Sequence, residues 1–309
     1  MKLEISIEKL KDAVGKAEKV TSKGATLESL KAIFLLASGN SLKLRSTNLS
    51  LGLEIEIAAK IETEGEVLVS GEVFNNTLQN LSVREKTLSL ELQNENLVIS
   101  SAKSKVVIKS LAAAEGFPEL PEVEGESFEI ETGKFLEGIR SVFYSAAITD
   151  IKPEIGSVFL YSEDDKVVFV ATDSFRLAEK KVKVKNLRDI ESIIIPYKNI
   201  LEINKLLGDA KGDLKVSYNK NQISFILPGF YLTSRLINGS FPDYRQIVPK
   251  SHKTRAIILK KDLIEALRLS NIFSDKFNQI KLRVDPKGKL FEIEAVNKDV
   301  GENKSAIDA

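Results

Sequence analysis

MKLEISIEKLKDAVGKAEKV, residues 1–20, is a short alternating segment that becomes a helical one, and the same pattern comes back twice in the chain. Leu3 and Ile5 alternate with polar residues, as in a half-buried strand. Leu10, Ala13, Val14 and Ala17 then recur at the three- and four-residue spacing that places apolar side chains on one helix face. At an offset of 125 residues the pattern returns in ESFEIETGKFLEGIRSV (126–142), with Phe128 and Ile130 followed by Phe135, Gly138, Ile139 and Val142. RAIILKKDLIEALRLS (255–270) gives a third opening, with Ala256 and Ile258 followed by Leu263, Ala266 and Leu267. Self-similarity at a fixed period is the signature of a protein assembled from repeated structural units.

The rest of the unit repeats too. Leu42 to Asn48 (LKLRSTN) aligns with Val167 to Asp173 (VVFVATD), and Val67-Leu68-Val69 leading into Phe74, Leu78 and Leu81 aligns with Ile193-Ile194-Ile195 leading into Ile200, Asn204 and Leu207. Alternating segments follow in both copies, and each copy closes on a Phe-Pro pair, Phe117-Pro118 and Phe241-Pro242. The order is strand, helix, strands, helix, strands, which predicts an α+β fold of repeated domains, each an antiparallel sheet with two amphipathic helices on one face. Pro, Gly and charge gather at 119–127 (ELPEVEGES) and 249–254 (PKSHKT), where linkers are expected. The domains then span 1–121, 127–249 and 254–309. By the repeat length the third is incomplete, roughly 60 to 70 residues short of a full unit.

Composition narrows the function. Apolar residues make up 43% and charged residues 29%, the balance of a globular protein, and no apolar run approaches the length of a membrane span, so no membrane partner is expected. Cysteine is absent, which removes disulfides, thiolate nucleophiles and cysteine-ligated metals and suits a reducing cytoplasm. His252 is the single histidine and sits in a linker, and Gly208-Asp209-Ala210-Lys211-Gly212 lacks the spacing of a phosphate loop. No catalytic residue, cofactor or metal is expected. Asp173, after a strand, is the first carboxylate to suspect, and a strand-end turn explains it equally well.

Forty-five Lys and Arg against 44 Asp and Glu leave a net charge of +1, so any nucleic-acid surface must come from segregation of the two signs. Off the apolar stripes, the predicted helices carry Lys9, Lys11, Lys16, Lys19, Lys134, Arg140, Lys198, Lys205, Lys260, Lys261 and Arg268. Acid lies mostly in strands and loops, although Glu8, Asp12 and Glu18 share the first helix. Either these are ordinary solvated faces or the helices share one basic surface. Two other segments stand out: ATDSFRLA (171–178) sets an exposed Phe-Arg pair after a strand, and FPDYRQIVP (241–249) is an aromatic, proline-bounded linker. Each is either a packed turn or part of an apolar groove that accepts a short peptide.

At these two segments the sequence resembles the bacterial beta clamp family of DNA polymerase III, which carries ATDGHRLA and FPDYRRVLP in their place. The threefold repeat and the Phe-Pro closures agree as well, so the resemblance runs the length of the chain. It implies a non-catalytic processivity factor: a head-to-tail homodimeric ring, given a complete third domain, around double-stranded DNA without regard to base sequence. It also implies a groove that docks short linear motifs of the replicative polymerase, the clamp loader and repair proteins. By position that groove uses Ile155, Thr172, Ser174, Phe175, Arg176 and Leu177, then Pro242, Arg245, Ile247 and Val248. Ser174-Phe175 departs from the family's Gly-His, which implies a shifted motif preference. The implied subunit interface places Lys103, Lys105 and Ile108 against Ile272 and Phe273, the latter pair serving as interface or as core. With an incomplete third domain, the alternative is an adaptor that binds peptide motifs without encircling DNA.

Overall fold

In the computed structural model the chain is described at residues 1–22, 24–81, 86–111, 116–149, 151–185, 187 and 189–308. The first repeat runs β1 (Lys2–Ser6), α1 (Ile7–Val20), β2 (Ala32–Ser38), β3 (Ser41–Thr47), β4 (Leu51–Ala58), β5 (Lys60–Thr63), β6 (Gly65–Ser70), α2 (Gly71–Asn80), β7 (Thr87–Gln93), β8 (Asn96–Ser100) and β9 (Lys105–Lys109). The second runs β10 (Glu126–Glu131), α3 (Thr132–Arg140), β11 (Ser157–Glu163), β12 (Lys166–Thr172), β13 (Leu177–Lys183), β14 (Ile193–Pro196), α4 (Tyr197–Leu206), β15 (Asp213–Tyr218), β16 (Gln222–Leu227) and β17 (Phe230–Arg235). The third comprises α5 (Lys260–Ile272), β18 (Lys281–Asp285), β19 (Leu290–Asn297) and β20 (Gly301–Ile307). Met1–Pro242 forms one compact unit and Asp243–Ala309 a second.

The repeat expected from the sequence is present, and the structure refines its sheet. Strands of one repeat are divided between two sheets rather than gathered in one. β5-β1-β7-β8-β9 form one sheet and β13-β12-β11-β14 another, while β10-β15-β16-β17 of the second repeat continue into β4-β3-β2-β6 of the first. The join is antiparallel, β17 on β4, with Phe230 opposite Ile55 and Ser234 opposite Leu51. It satisfies two strand edges that would otherwise present unpaired backbone groups.

Helices form where the spacing predicts. The stripe Leu10, Ala13, Val14 and Ala17 of α1 is fully buried, as are Phe135 and Ile139 of α3. Phe135, Phe169 and Phe225 pack together in the second repeat, with centroids 5.7 and 5.2 Å apart. The Phe-Pro closures have one explanation in both repeats. Phe117 stacks on Phe34 of β2 at 5.4 Å, and Phe241 stacks on Phe159, the matching residue of β11, at 4.7 Å.

The third opening departs from expectation. Ala256 to Ile258 takes no ladder position, although α5 follows it on schedule. β1 and β10 are held by β7 and β15, strands that come more than 80 residues later. Among the described residues the third repeat has no counterpart of either, and an unpaired extended segment has nothing to bond its backbone. Its small core is Ala266 of α5 with Phe291, Ile293 and Ile307.

One polar atom breaks the pattern. Ser46 of β3 is fully buried, and its hydroxyl finds no hydrogen-bond partner among the described residues. The second repeat has Ala171 at the matching place, also fully buried. Ser46→Ala is therefore expected to raise stability by about 1 kcal/mol, the gain from no longer desolvating an unpaired hydroxyl. Urea unfolding measures it; a loss of stability would mean that the hydroxyl has a partner after all.

Candidate nucleic-acid and peptide interfaces

Within the first unit α2 packs on α1, α1 on α4, and α4 on α3, so the four helices form a row that crosses the repeat junction. This row carries eight basic side chains against six acidic ones, a mild excess. The predicted lysines divide by environment. Lys9 and Lys19 are exposed and carry no ion pair to a described residue, and Lys198 is exposed at the start of α4. Lys11 is half-buried and its Nζ donates to the Leu81 carbonyl at 3.2 Å, capping the end of α2. Lys16 pairs with Asp12 at 2.7 Å, Lys205 with Glu202 at 2.8 Å and Lys134 with Glu131 at 3.8 Å, while Arg140 Nε donates to Asn204 Oδ1 at 2.6 Å. Surface pairs of this kind are worth little and yield readily to a competing anion. In the second unit Lys260 and Arg268 are exposed on α5, and Lys261 lies 3.9 Å from Glu265.

The ATDSFRLA segment closes β12 and opens β13 in a turn built by side chains. Thr172 Oγ1 donates to the Arg176 carbonyl at 2.8 Å and accepts from Ser174 N. Asp173 Oδ1 accepts from the amides of Phe175 and Arg176 at 3.0 and 2.9 Å, and Oδ2 accepts from Arg176 Nε at 2.9 Å. Burial pushes the Asp173 carboxyl up, but the two amides and the guanidinium outweigh it and hold the group below its ordinary value. The carboxylate flagged in the sequence is therefore a turn constructor. Ser174 sits at φ 75°, a left-handed conformation that explains why glycine suits this position.

The result is a phenyl ring held in the open: Phe175 is 99% exposed. Ile155, two residues before β11, is half-buried, and its carbonyl accepts from Ala147 N at 3.0 Å. An apolar cavity of about 440 Å³ opens between Ala147, Ile148, Pro153, Pro196, Tyr197 and Ile237 of the same unit. Sequence reasoning missed it, although the exposed pair Ile148 and Ile151 in a loop was a signal. Pro242 ends the first unit, exposed; Arg245, Ile247 and Val248 belong to the second unit, and all three are exposed.

The first repeat builds the same turn. Thr47 Oγ1 donates to the Leu51 carbonyl and accepts from Leu49 N, and Asn48 Oδ1 accepts from the amides of Ser50 and Leu51. Leu49 takes φ 69°. Here the backbone of the turn is engaged by the second repeat, the Ser50 carbonyl accepting from Arg235 N at 2.9 Å and from Asn199 Nδ2 at 3.4 Å, while the Leu49 and Ser50 side chains stay exposed.

Of the residues expected at a subunit interface, Lys103 is exposed in the turn before β9 and Lys105 is exposed at the start of that edge strand. Ile108 is not available: its side chain is 4% exposed and belongs to the core. The period-two alternation of a strand puts Val107 on the open face instead, 57% exposed. Ile272 is 63% exposed, whereas Phe273 is half-buried with its ring beside Gly301 of its own unit. Among the described residues no group of His, Asp and Glu could hold a metal ion, and no helix is long and apolar enough to cross a membrane.

Repeats of one α+β design, joined edge to edge in a continuous sheet with their helices in a row on the opposite side, define a DNA-clamp fold. The family described as "DNA polymerase III beta subunit, N-terminal domain" matches residues 1–121, and its central domain matches residues 129–243. The chain is 28% identical to the beta sliding clamp of Rickettsia bellii over 315 aligned residues, covering all of this chain and 82% of that protein. It is 26% identical to the beta sliding clamp of Bacillus subtilis, covering 99% of this chain and 84% of the other. The crystal structure of the Bacillus subtilis clamp superposes over the whole chain and 84% of its own length with a TM-score of 0.91 at 24% identity. A Pseudomonas aeruginosa clamp solved bound to griselimycin gives 0.89, also at 24% identity, over the whole chain and 84% of its own length. The chain belongs to the DNA polymerase III beta subunit family, the bacterial sliding clamps. These are processivity factors of DNA replication, accessory subunits rather than enzymes.

Proposed function

We propose that this chain encircles duplex DNA as a ring made with a second copy of itself, and tethers replication and repair proteins through the turn at 172–177. The observation that carries the reading is the β17–β4 join between the first two repeats. Among the described residues the same edges recur unpaired. β9 occupies the place of β17 in the first repeat, β20 that of β4 in the third, and each is the last strand of its sheet. A β9–β20 pairing between two copies repeats the internal join, and a head-to-tail join of this kind is what closes a ring. The helix row suits a duplex held by topology rather than affinity: its mild basic excess favours phosphate without reading bases.

Retention on DNA tests this. Protein loaded on nicked circles that are then sealed stays bound on the closed circle and is lost on linearisation, and its native mass lies near twice 34.2 kDa. A monomer that binds griselimycin without regard to DNA topology would instead mark a peptide-binding adaptor. The lysines make a second expectation. Lys9→Ala and Lys19→Ala are each expected to lower the slope of log affinity against log salt by about 1, equally for any duplex sequence. Fluorescence anisotropy across a salt series measures it, and an unchanged slope places those lysines off the DNA path.

A further inference from the structure

The segment between the first two repeats is more than a connection. Its described residues meet strands of the eight-stranded sheet in the order of that sheet, from β6 towards β10. Leu111 N donates to the Leu68 carbonyl of β6 at 2.8 Å, and Phe117 stacks on Phe34 of β2. Leu120 then lies over Gly52 of β4, where an added Cβ would come within 2.7 Å of Leu120 Cδ2 and 3.0 Å of Thr233 Cγ2. On β17 the Tyr231 hydroxyl donates to the Pro121 carbonyl at 2.6 Å and accepts from Val123 N at 3.2 Å. Asn219 Nδ2 donates to the Glu124 carbonyl at 3.1 Å, just before the chain enters β10.

Two of these attachments straddle the repeat junction: Gly52 and Leu120 on the β4 side, Tyr231 on the β17 side. On the sheet the junction is one antiparallel strand pair, braced on the helix side by the α1–α4 contact and the Asn199–Ser50 bond. Adjacent strands pair over a range of relative twist from about −10° to −35°, so one pair alone leaves the angle between repeats soft. We propose that residues 117–124 are a strap that fixes this angle, with Gly52 and Tyr231 as its positioning residues. The strap sets the curvature of the helix row from the opposite side of the sheet. A tether of the same length would need neither the notch at Gly52 nor a tyrosine bonded to two backbone groups of the linker. The strap lies wholly within the first unit and acts whether or not the chain closes a ring.

The absence of native cysteine makes the test direct. Asn40→Cys and Lys211→Cys place spin labels on exposed loops of the two repeats, neither of them next to a residue that bonds the strap. Pulsed dipolar spectroscopy on the full chain is expected to give one narrow distance distribution. Tyr231→Phe, which keeps the ring and removes both bonds, is expected to broaden it, and Leu120→Ala to broaden it similarly. Gly52→Ala added to Leu120→Ala refills the notch with a methyl group and is expected to narrow it again. A Tyr231→Phe distribution as narrow as the parent's, with or without a lowered melting temperature, would overturn the strap and leave Tyr231 a local stabiliser. Failure of Gly52→Ala to rescue would overturn the role of the notch.

Discussion

Gly138→Ala is expected to destabilise the protein by about 2 kcal/mol, against the usual sign for that change in a helix. Inside a helix, alanine normally beats glycine by about 1 kcal/mol through backbone entropy. Here a Cβ at Gly138 of α3 would sit 2.6 Å from both Cδ2 and Cζ of Phe169, a fully buried ring packed on Phe135, which in turn packs on Phe225. Overpacking a filled core costs about 1–3 kcal/mol beyond what propensity returns. The first repeat solves the same contact with the sizes exchanged. Ala13 of α1 stands where Gly138 does, and Leu44 of β3 stands where Phe169 does, both buried. Phe169→Leu alone is expected to cost about 1–2 kcal/mol through the space it leaves. Gly138→Ala with Phe169→Leu reproduces the first repeat and should recover most of the combined loss, a coupling of about 1–3 kcal/mol in a double-mutant cycle. Simple additivity in chemical denaturation would show that the two side chains do not share the space.

Asp173→Ala is expected to cost about 2 kcal/mol and to weaken griselimycin binding, while Asp173→Asn leaves both nearly unchanged. The alanine removes the acceptor of two turn amides and releases the Phe175 ring from its fixed position. The asparagine keeps that acceptor, as Asn48 does for the same two amides of the first repeat. What it loses is the Arg176 contact, a largely exposed pair of small worth. pH supplies a check on sign. The folded carboxyl lies below its unfolded value, so its contribution is complete above the ordinary carboxylate range and fades as pH falls through the folded value. Asp173→Asn and the parent should therefore converge in stability toward acid, with Asp173→Ala remaining below both. Equal loss with alanine and asparagine would mean that the charge, not the turn, matters.

The repeat, the helix faces and the turn residues were legible because each is local. A stripe such as Leu10, Ala13, Val14 and Ala17 fixes both the helix and its buried side within a few turns. Thr172 and Asp173 bond within four residues of themselves, so ATDSFRLA carries its own geometry. Phe117 and Phe241 could be seen to mark the end of a unit, though not that each stacks on an aromatic residue more than 80 positions earlier.

Tertiary structure decided what depends on which strand edges meet. Backbone donors and acceptors look alike along every strand, so nothing in the residues said that β17 would pair with β4 and divide each repeat between two sheets. Positional correspondence with the family put Ile108 at an interface, whereas the register of a five-residue strand turns its side chain into the core and Val107 outward. Ala256 to Ile258 has the pattern of β1 but takes no ladder position among the described residues. Sequence alone determined the repeated unit and the side chains each element would bury, because those follow from periodicity. Only the folded chain decided how the units join, because a strand becomes part of a sheet through a partner that its own residues do not name.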